Sequence, residues 1–222
     1  MAIAVEILPD AWAAAERGAE IVAGAAAQAV AERGRFTFAV SGGSTPGAMF
    51  AALYGRIPWE KTTIFQVDER IAPDGDPDRN FTLLQQSLPP GGVADVRPMP
   101  VTSDDLDEAA ARYASALPEQ LDLIHLGLGP DGHTASLIPG DPVLDIGDRD
   151  VALTGEYQGR RRMTLTYPPI DRAHRILWLV TGEDKVDARA RLQAGDGSIP
   201  AGRVSQDNAL IVADAAAAGL AP

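Results

Sequence analysis

"LDLIHLGLGPDGHTASLIPG", residues 121–140, carries the reading that decides the fold. It opens as a near-continuous apolar run of strand length and passes into a turn rich in glycine, proline and aspartate. Gly127, Gly129 and Gly132 spell G-x-G-x-x-G, the spacing of a dinucleotide-binding turn. That fingerprint needs its third glycine to open a crossover helix, and Pro139 with Gly140 interrupts the chain within two turns. The NAD-binding reading therefore fails on context. What remains is a strand end that presents Asp131 and His133, and a histidine there can act as a general base near neutral pH.

Outward from this stretch, similar short apolar runs recur at residues 36–40, 62–68, 175–180 and 209–213. Between them lie helix-favouring segments at 11–33, stopped by Gly34, and at 104–116 and 184–192. Apolar strands alternating with helices predict a mostly parallel α/β sheet with helices on both faces, organised as one domain over residues 1–222. Residues 89–98, "PPGGVADVRP", read as a surface connection. Such sheets hold ligands beyond the C-terminal ends of their strands.

Composition narrows the function classes. A formal charge of −12 argues against a nucleic-acid surface, which needs clustered Lys and Arg. With no cysteine there is no disulfide framework, thiol nucleophile or Cys-based zinc site, and a cytoplasmic location fits. No stretch approaches 18 uninterrupted apolar residues and the first residues lack a basic start before an apolar core, so neither membrane insertion nor export is expected. An acidic chain that binds an anion must hold a few Arg or Lys locally against its own field.

Three strand ends and two basic segments supply the candidates. In "SGGSTPGAMF", residues 41–50, Gly42 and Gly43 allow close backbone approach, Ser44 or Thr45 can cap the next helix, and Pro46 suits its first turn. A helix N-terminus of this kind makes a phosphate site without a Walker lysine. In "VDERIAPDGDPDRNF", residues 67–81, Asp68, Glu69 and Arg70 close a strand and lead into a turn-rich segment able to fold over a ligand. "GRRRMTLTYP" places Arg160, Arg161 and Arg162 before a β-like segment, and "TGEDKVDA" places Lys185 after another strand. These are the candidates for an anion clamp, with Arg162 chosen because it adjoins the segment. His125, inside an apolar strand, reads as packed or pocket-lining, and His174 as a surface residue; three scattered histidines make no metal site.

Taken together, "SGGSTP" at 41–46, "DER" at 68–70 followed by Asn80, "LGLGPDGHTASLIPG" at 126–140, "RMTLT" at 162–166 and "TGEDK" at 181–185 resemble the 6-phosphogluconolactonase family. The motifs recur in order across most of the chain. The resemblance implies a Rossmann-like fold shared with glucosamine-6-phosphate deaminase and ribose-5-phosphate isomerase relatives. It also implies hydrolysis of 6-phosphogluconolactone in the oxidative pentose phosphate pathway, with no cofactor and no metal. Carried over by position, Ser41, Gly42, Gly43, Ser44 and Thr45 would bind phosphate with Arg162 and Lys185. His133 would be catalytic, with Asp131 orienting its ring or loop, Arg70 near the developing oxyanion and Asp68 as a further catalytic carboxylate. The implied partner is a small sugar-phosphate lactone, with no nucleic acid and no membrane, and the chain is expected as a monomer or small homo-oligomer. Two alternatives remain: a deaminase/isomerase-like enzyme, whose pattern after the histidine ends in an acidic residue where this chain has Ile138, and a non-catalytic sugar-phosphate sensor.

Overall fold

A computed structural model describes residues 3–42, 44–88 and 95–220. In chain order the elements are β1 (Ala4–Leu8), α1 (Ala11–Arg33), β2 (Phe36–Val40), α2 (Ser44–Ala52), β3 (Thr62–Gln66), β4 (Asp68–Arg70), α3 (Asn80–Ser87) and β5 (Asp95–Arg97). They continue with α4 (Leu106–Ala116), β6 (Leu123–Leu126), β7 (Val151–Leu153), β8 (Arg162–Leu165), α5 (Tyr167–Asp171), β9 (Ile176–Val180), α6 (Val186–Gln193) and β10 (Ala209–Asp214). The expected helix at 11–33 forms with those bounds because both ends are capped. Asp10 accepts from the Ala13 N–H at 2.8 Å, and Gly34 turns out of the helix at φ 74°.

Seven strands form a parallel sheet in the order β1-β10-β9-β6-β2-β3-β5. All five residues of β2 and of β9 are buried, which is why these strands read as unbroken apolar runs. Helices α1 and α2 cover one face, packing Ala26 and Met49 with Phe38, Leu123 and Leu177. Helices α4 and α6 cover the other, packing Tyr113 and Leu192 with Ile124 and Trp178. No helix among the described residues is long and apolar enough to cross a membrane.

One expectation is corrected. The strand expected over 62–68 ends at Gln66, and Asp68 begins a different strand, in a three-stranded antiparallel sheet ordered β4-β8-β7. Val67 makes the transfer: its N–H donates to Val40 O at 3.1 Å in the large sheet, and its carbonyl accepts from Leu165 N at 2.7 Å in the small one. The connection at 89–98 lies outside the described residues up to 94.

His125 is packed and does not line the candidate site described below. Strand alternation puts it on the face of Leu123, between Val40 and Leu177 and under α1 and α2. It is 1% exposed, neither ring nitrogen has a hydrogen-bond partner, and burial pushes its pKa down to about 4. The folded state keeps the ring neutral while the unfolded chain takes up a proton near pH 6.5, so stability falls as pH drops from that value towards 4. The expected contribution at pH 5 is a loss of about 2 kcal/mol. Urea unfolding of His125→Leu should lack that acid slope, and an unchanged slope would refute the assignment.

Candidate active site

The chain leaves β2 toward β3 and β5 on one side, and later returns to place β6, β9 and β10 on the other. The switch point therefore falls between β2 and β6, and there the C-terminal ends of neighbouring strands splay into a crevice. Ser41 closes the fork. Its N–H and hydroxyl donate to His125 O at 3.3 and 3.2 Å, and its oxygen accepts from Gly127 N at 3.3 Å.

A cleft of about 220 Å³ opens above this fork. Its lining includes Ser41, Gly42, Asp68, Arg70, Asn80, Gly129, His133, Arg162 and Lys185. Seven of the site residues expected from sequence thus converge from the ends of β2 and β6, from β4 and β8, and from the turn after β9. Asp131 stands behind His133. Gly43 lies outside the described residues, as do the side chains of Ser44 and Thr45; the backbone of α2 starts at Ser44, which directs a helix N-terminus toward this region.

The 129–133 turn is compact. Gly129 N–H donates to His133 O at 2.8 Å, and Gly132 N–H to Gly129 O at 3.0 Å. The His133 ring folds back over Gly129 so closely that a Cβ there would sit 2.1 Å from Nδ1. Asp131 Oδ1 lies 2.6 Å from Nδ1 and also accepts from the His133 N–H at 3.2 Å. With Nδ1–H donated to the carboxylate, the lone pair falls on Nε2. Burial pulls the Asp131 carboxyl upward, but its bonds and charge interaction with His133, helped by Tyr157, outweigh this and hold it below the usual carboxylate range.

Along the other wall a hydrogen-bonded chain links the charged groups. Arg70 Nη1 donates to Asn80 Oδ1, and Asn80 Nδ2 donates to Asp68 Oδ1 at 3.1 Å. Ser136 donates to Asp68 Oδ2 at 2.6 Å and accepts from Arg162 Nη1 at 3.5 Å. Asn80 crowds Gly42, where a Cβ would fall 1.8 Å from its Oδ1. Arg162 is 4% exposed, and burial draws its guanidinium below the usual value. Its bonds to protein are long: 3.5 Å to Ser136 and 3.2 Å from Nη2 to Gln158, with Nε unpartnered. A five-donor fork so weakly satisfied has donors left for an anion in the cleft. Arg160 and Arg161 are spent elsewhere, on Asp76 with Asp78 and on Thr154 O respectively.

Glu69, between Asp68 and Arg70, is structural. Fully buried, it accepts from the N–H groups of Arg70, Asn80 and Phe81, each at 2.8 Å, and from Gln66 Nε2 at 3.0 Å and Arg79 Nε at 3.4 Å. It thereby caps α3 and pins the 71–79 segment, whose Arg79 also pairs with Asp74. Glu69→Gln turns one acceptor oxygen into a donor facing other donors and should cost about 1.5–3 kcal/mol. A melting temperature unchanged from wild type would contradict that role.

Sequence reading missed Tyr157, Gln158 and Ser136. The first two sit on a Gln158-Gly159 hairpin turn, and an x-Gly pair ahead of a β-like run is the signal that points to such a turn. Among the described residues no three His, Cys, Asp or Glu side chains gather as a metal site.

The model of the glucosamine-6-phosphate isomerases/6-phosphogluconolactonase family matches residues 9–212. The chain belongs to this family. A 6-phosphogluconolactonase of Synechocystis sp. is 36% identical over 211 residues, 87% of this chain and 86% of that protein. A solved 6-phosphogluconolactonase from Shewanella baltica superposes with a TM-score of 0.85 at 24% identity, covering 96% of this chain and 97% of that one. A monomeric glucosamine-6-phosphate deaminase superposes at 0.81 and 19% identity, covering 99% and 100%. The fold of the isomerase/lactonase family is thus common to both chemistries, and the choice between them rests on site residues.

Proposed function

We propose that the protein hydrolyses 6-phospho-D-glucono-1,5-lactone to 6-phosphogluconate, the lactone-opening step of the oxidative pentose phosphate pathway. The observation that carries this reading is the His133–Asp131 pair facing a cleft lined by Arg70, Arg162 and Lys185. The Synechocystis relative that bears the lactonase name supports the substrate.

The phosphate is held by the α2 N-terminus with Arg162 and Lys185, which sets the lactone carbonyl toward His133. His133 Nε2 takes a proton from a water molecule as its oxygen bonds to the carbonyl carbon. The carbonyl oxygen becomes an oxyanion beside Arg70. As the tetrahedral species collapses, the bond to the ring oxygen breaks, and Nε2–H returns its proton to that oxygen. The product acid then loses a proton to solvent. Asp131 keeps the ring in the tautomer that exposes Nε2, and Asp68 holds Ser136 and Asn80 in place.

The deaminase reading is disfavoured at one position. Where that branch carries an acidic residue, this chain has Ile138, 6% exposed. Purified protein should consume freshly made lactone and release no ammonia from glucosamine 6-phosphate. Ammonia release without lactone turnover would overturn the proposal.

A further inference from the structure

We propose that Tyr157 is a positioning residue for this reaction, tying the catalytic histidine to the anion-binding arginine by gripping Asp131 with its hydroxyl and supporting Arg162 with its ring. Its hydroxyl donates to Asp131 Oδ2 at 3.0 Å and lies 3.4 Å from His133 Nδ1. Its ring meets the His133 ring edge-on, with centroids 5.4 Å apart, and its face lies 4.9 Å from Arg162 Cζ. Asp131 therefore uses one oxygen for His133 and the other for Tyr157, which fixes the plane of the carboxylate and with it the imidazole.

The backbone is shaped for this placement. Tyr157 and Arg160 pair across a two-residue turn in which Gln158 and Gly159 have φ of 52° and 77°. Two positive φ values are the mark of a type I′ turn, and a glutamine adopts the first only against steric resistance. The turn sets Tyr157 on the His133 side of the cleft and Gln158 on Arg162 Nη2. Strain of this kind, next to a site and directing two side chains into it, is kept when the positions of those side chains matter.

The hydroxyl also sets charge. Burial, the Asp131 hydrogen bond and the Asp131 charge raise the Tyr157 phenol above its ordinary range, against the opposing pull of Arg162, so it stays a donor at neutral pH. By donating to Asp131 it offsets part of the negative charge that this carboxylate presents to His133. The other charged groups facing the cleft are Asp68 and Arg70 of β4, Arg162 of β8 and Lys185 before α6, and none of them has a hydrogen bond to the Tyr157 hydroxyl.

The kinetic part of the test rests on the lactonase reading, and the titration part does not. In Tyr157→Phe the ring stays and the hydroxyl goes. The acid limb of kcat/KM should move to higher pH, and the NMR titration midpoint of His133, assigned against His133→Ala, should move in the same direction. Lactone kcat should fall about three- to tenfold with KM unchanged. Tyr157→Leu, which also loses the ring, should raise KM for the phosphorylated lactone. A shifted midpoint supports the proposal even if some other substrate is turned over. An unmoved midpoint in folded Tyr157→Phe overturns it, even when wild type opens the lactone and kcat has dropped.

Discussion

In His133→Ala, kcat for lactone opening falls about a hundred- to ten-thousand-fold while KM stays near the wild-type value, the range expected for loss of a positioned general base. The separation of kcat from KM follows from where the side chain sits. His133 is anchored through Nδ1 to Asp131 at the opposite side of the ring from Nε2, and the proposed anion-binding groups Arg162 and Lys185 belong to other elements. Ground-state binding is therefore untouched when the imidazole is removed. Asp131→Asn should fall short of that loss, because the ring is still present but its tautomer is no longer enforced. Steady-state kinetics over the uncatalysed rate reads both effects. A His133→Ala enzyme within threefold of wild type would remove the histidine from the mechanism.

Arg162→Gln should lower kcat/KM about a hundred- to a thousand-fold for the phosphorylated lactone, mostly through KM, as expected for losing a charge-assisted two-pronged contact. Gln keeps a polar side chain near Ser136 but carries no charge and cannot present the guanidinium fork. The loss should be far smaller with glucono-1,5-lactone, which has no phosphate for Arg162 to hold. Equal losses on both lactones would show that Arg162 acts on the reacting end. Thermal melts of the variant separate this from damage to the Asp68–Ser136–Arg162 chain, since a folded enzyme with wild-type melting retains that framework.

What was legible in the sequence follows the physics of burial and spacing. The buried strands β2, β9 and β10 announced themselves as apolar runs, and the capped helix α1 by its alanines between Asp10 and Gly34. The glycines at 42 and 129 and the residues that crowd them, Asn80 and His133, lie in motifs that could be read together. The small sheet was hidden because β4 and β7 have three residues each, too few for a periodic signal, and because a single residue, Val67, joins the two sheets with no turn residue between them. Glu69 looked like one more acid in a charged loop. Its five donors come from residues as far away as Phe81, and only the fold brings them together. Tyr157 escaped for the same reason: it is 26 residues from Asp131, with which it shares a hydrogen bond.

The most direct test of lactone opening by this cleft is a pH-stat record of acid release from freshly generated 6-phosphogluconolactone near neutral pH, with wild type and His133→Ala in parallel. The account predicts a rate that rises in proportion to wild-type enzyme, ends at one proton per lactone and returns close to the uncatalysed rate in the variant. Acid release at the uncatalysed rate with folded wild-type protein would contradict it.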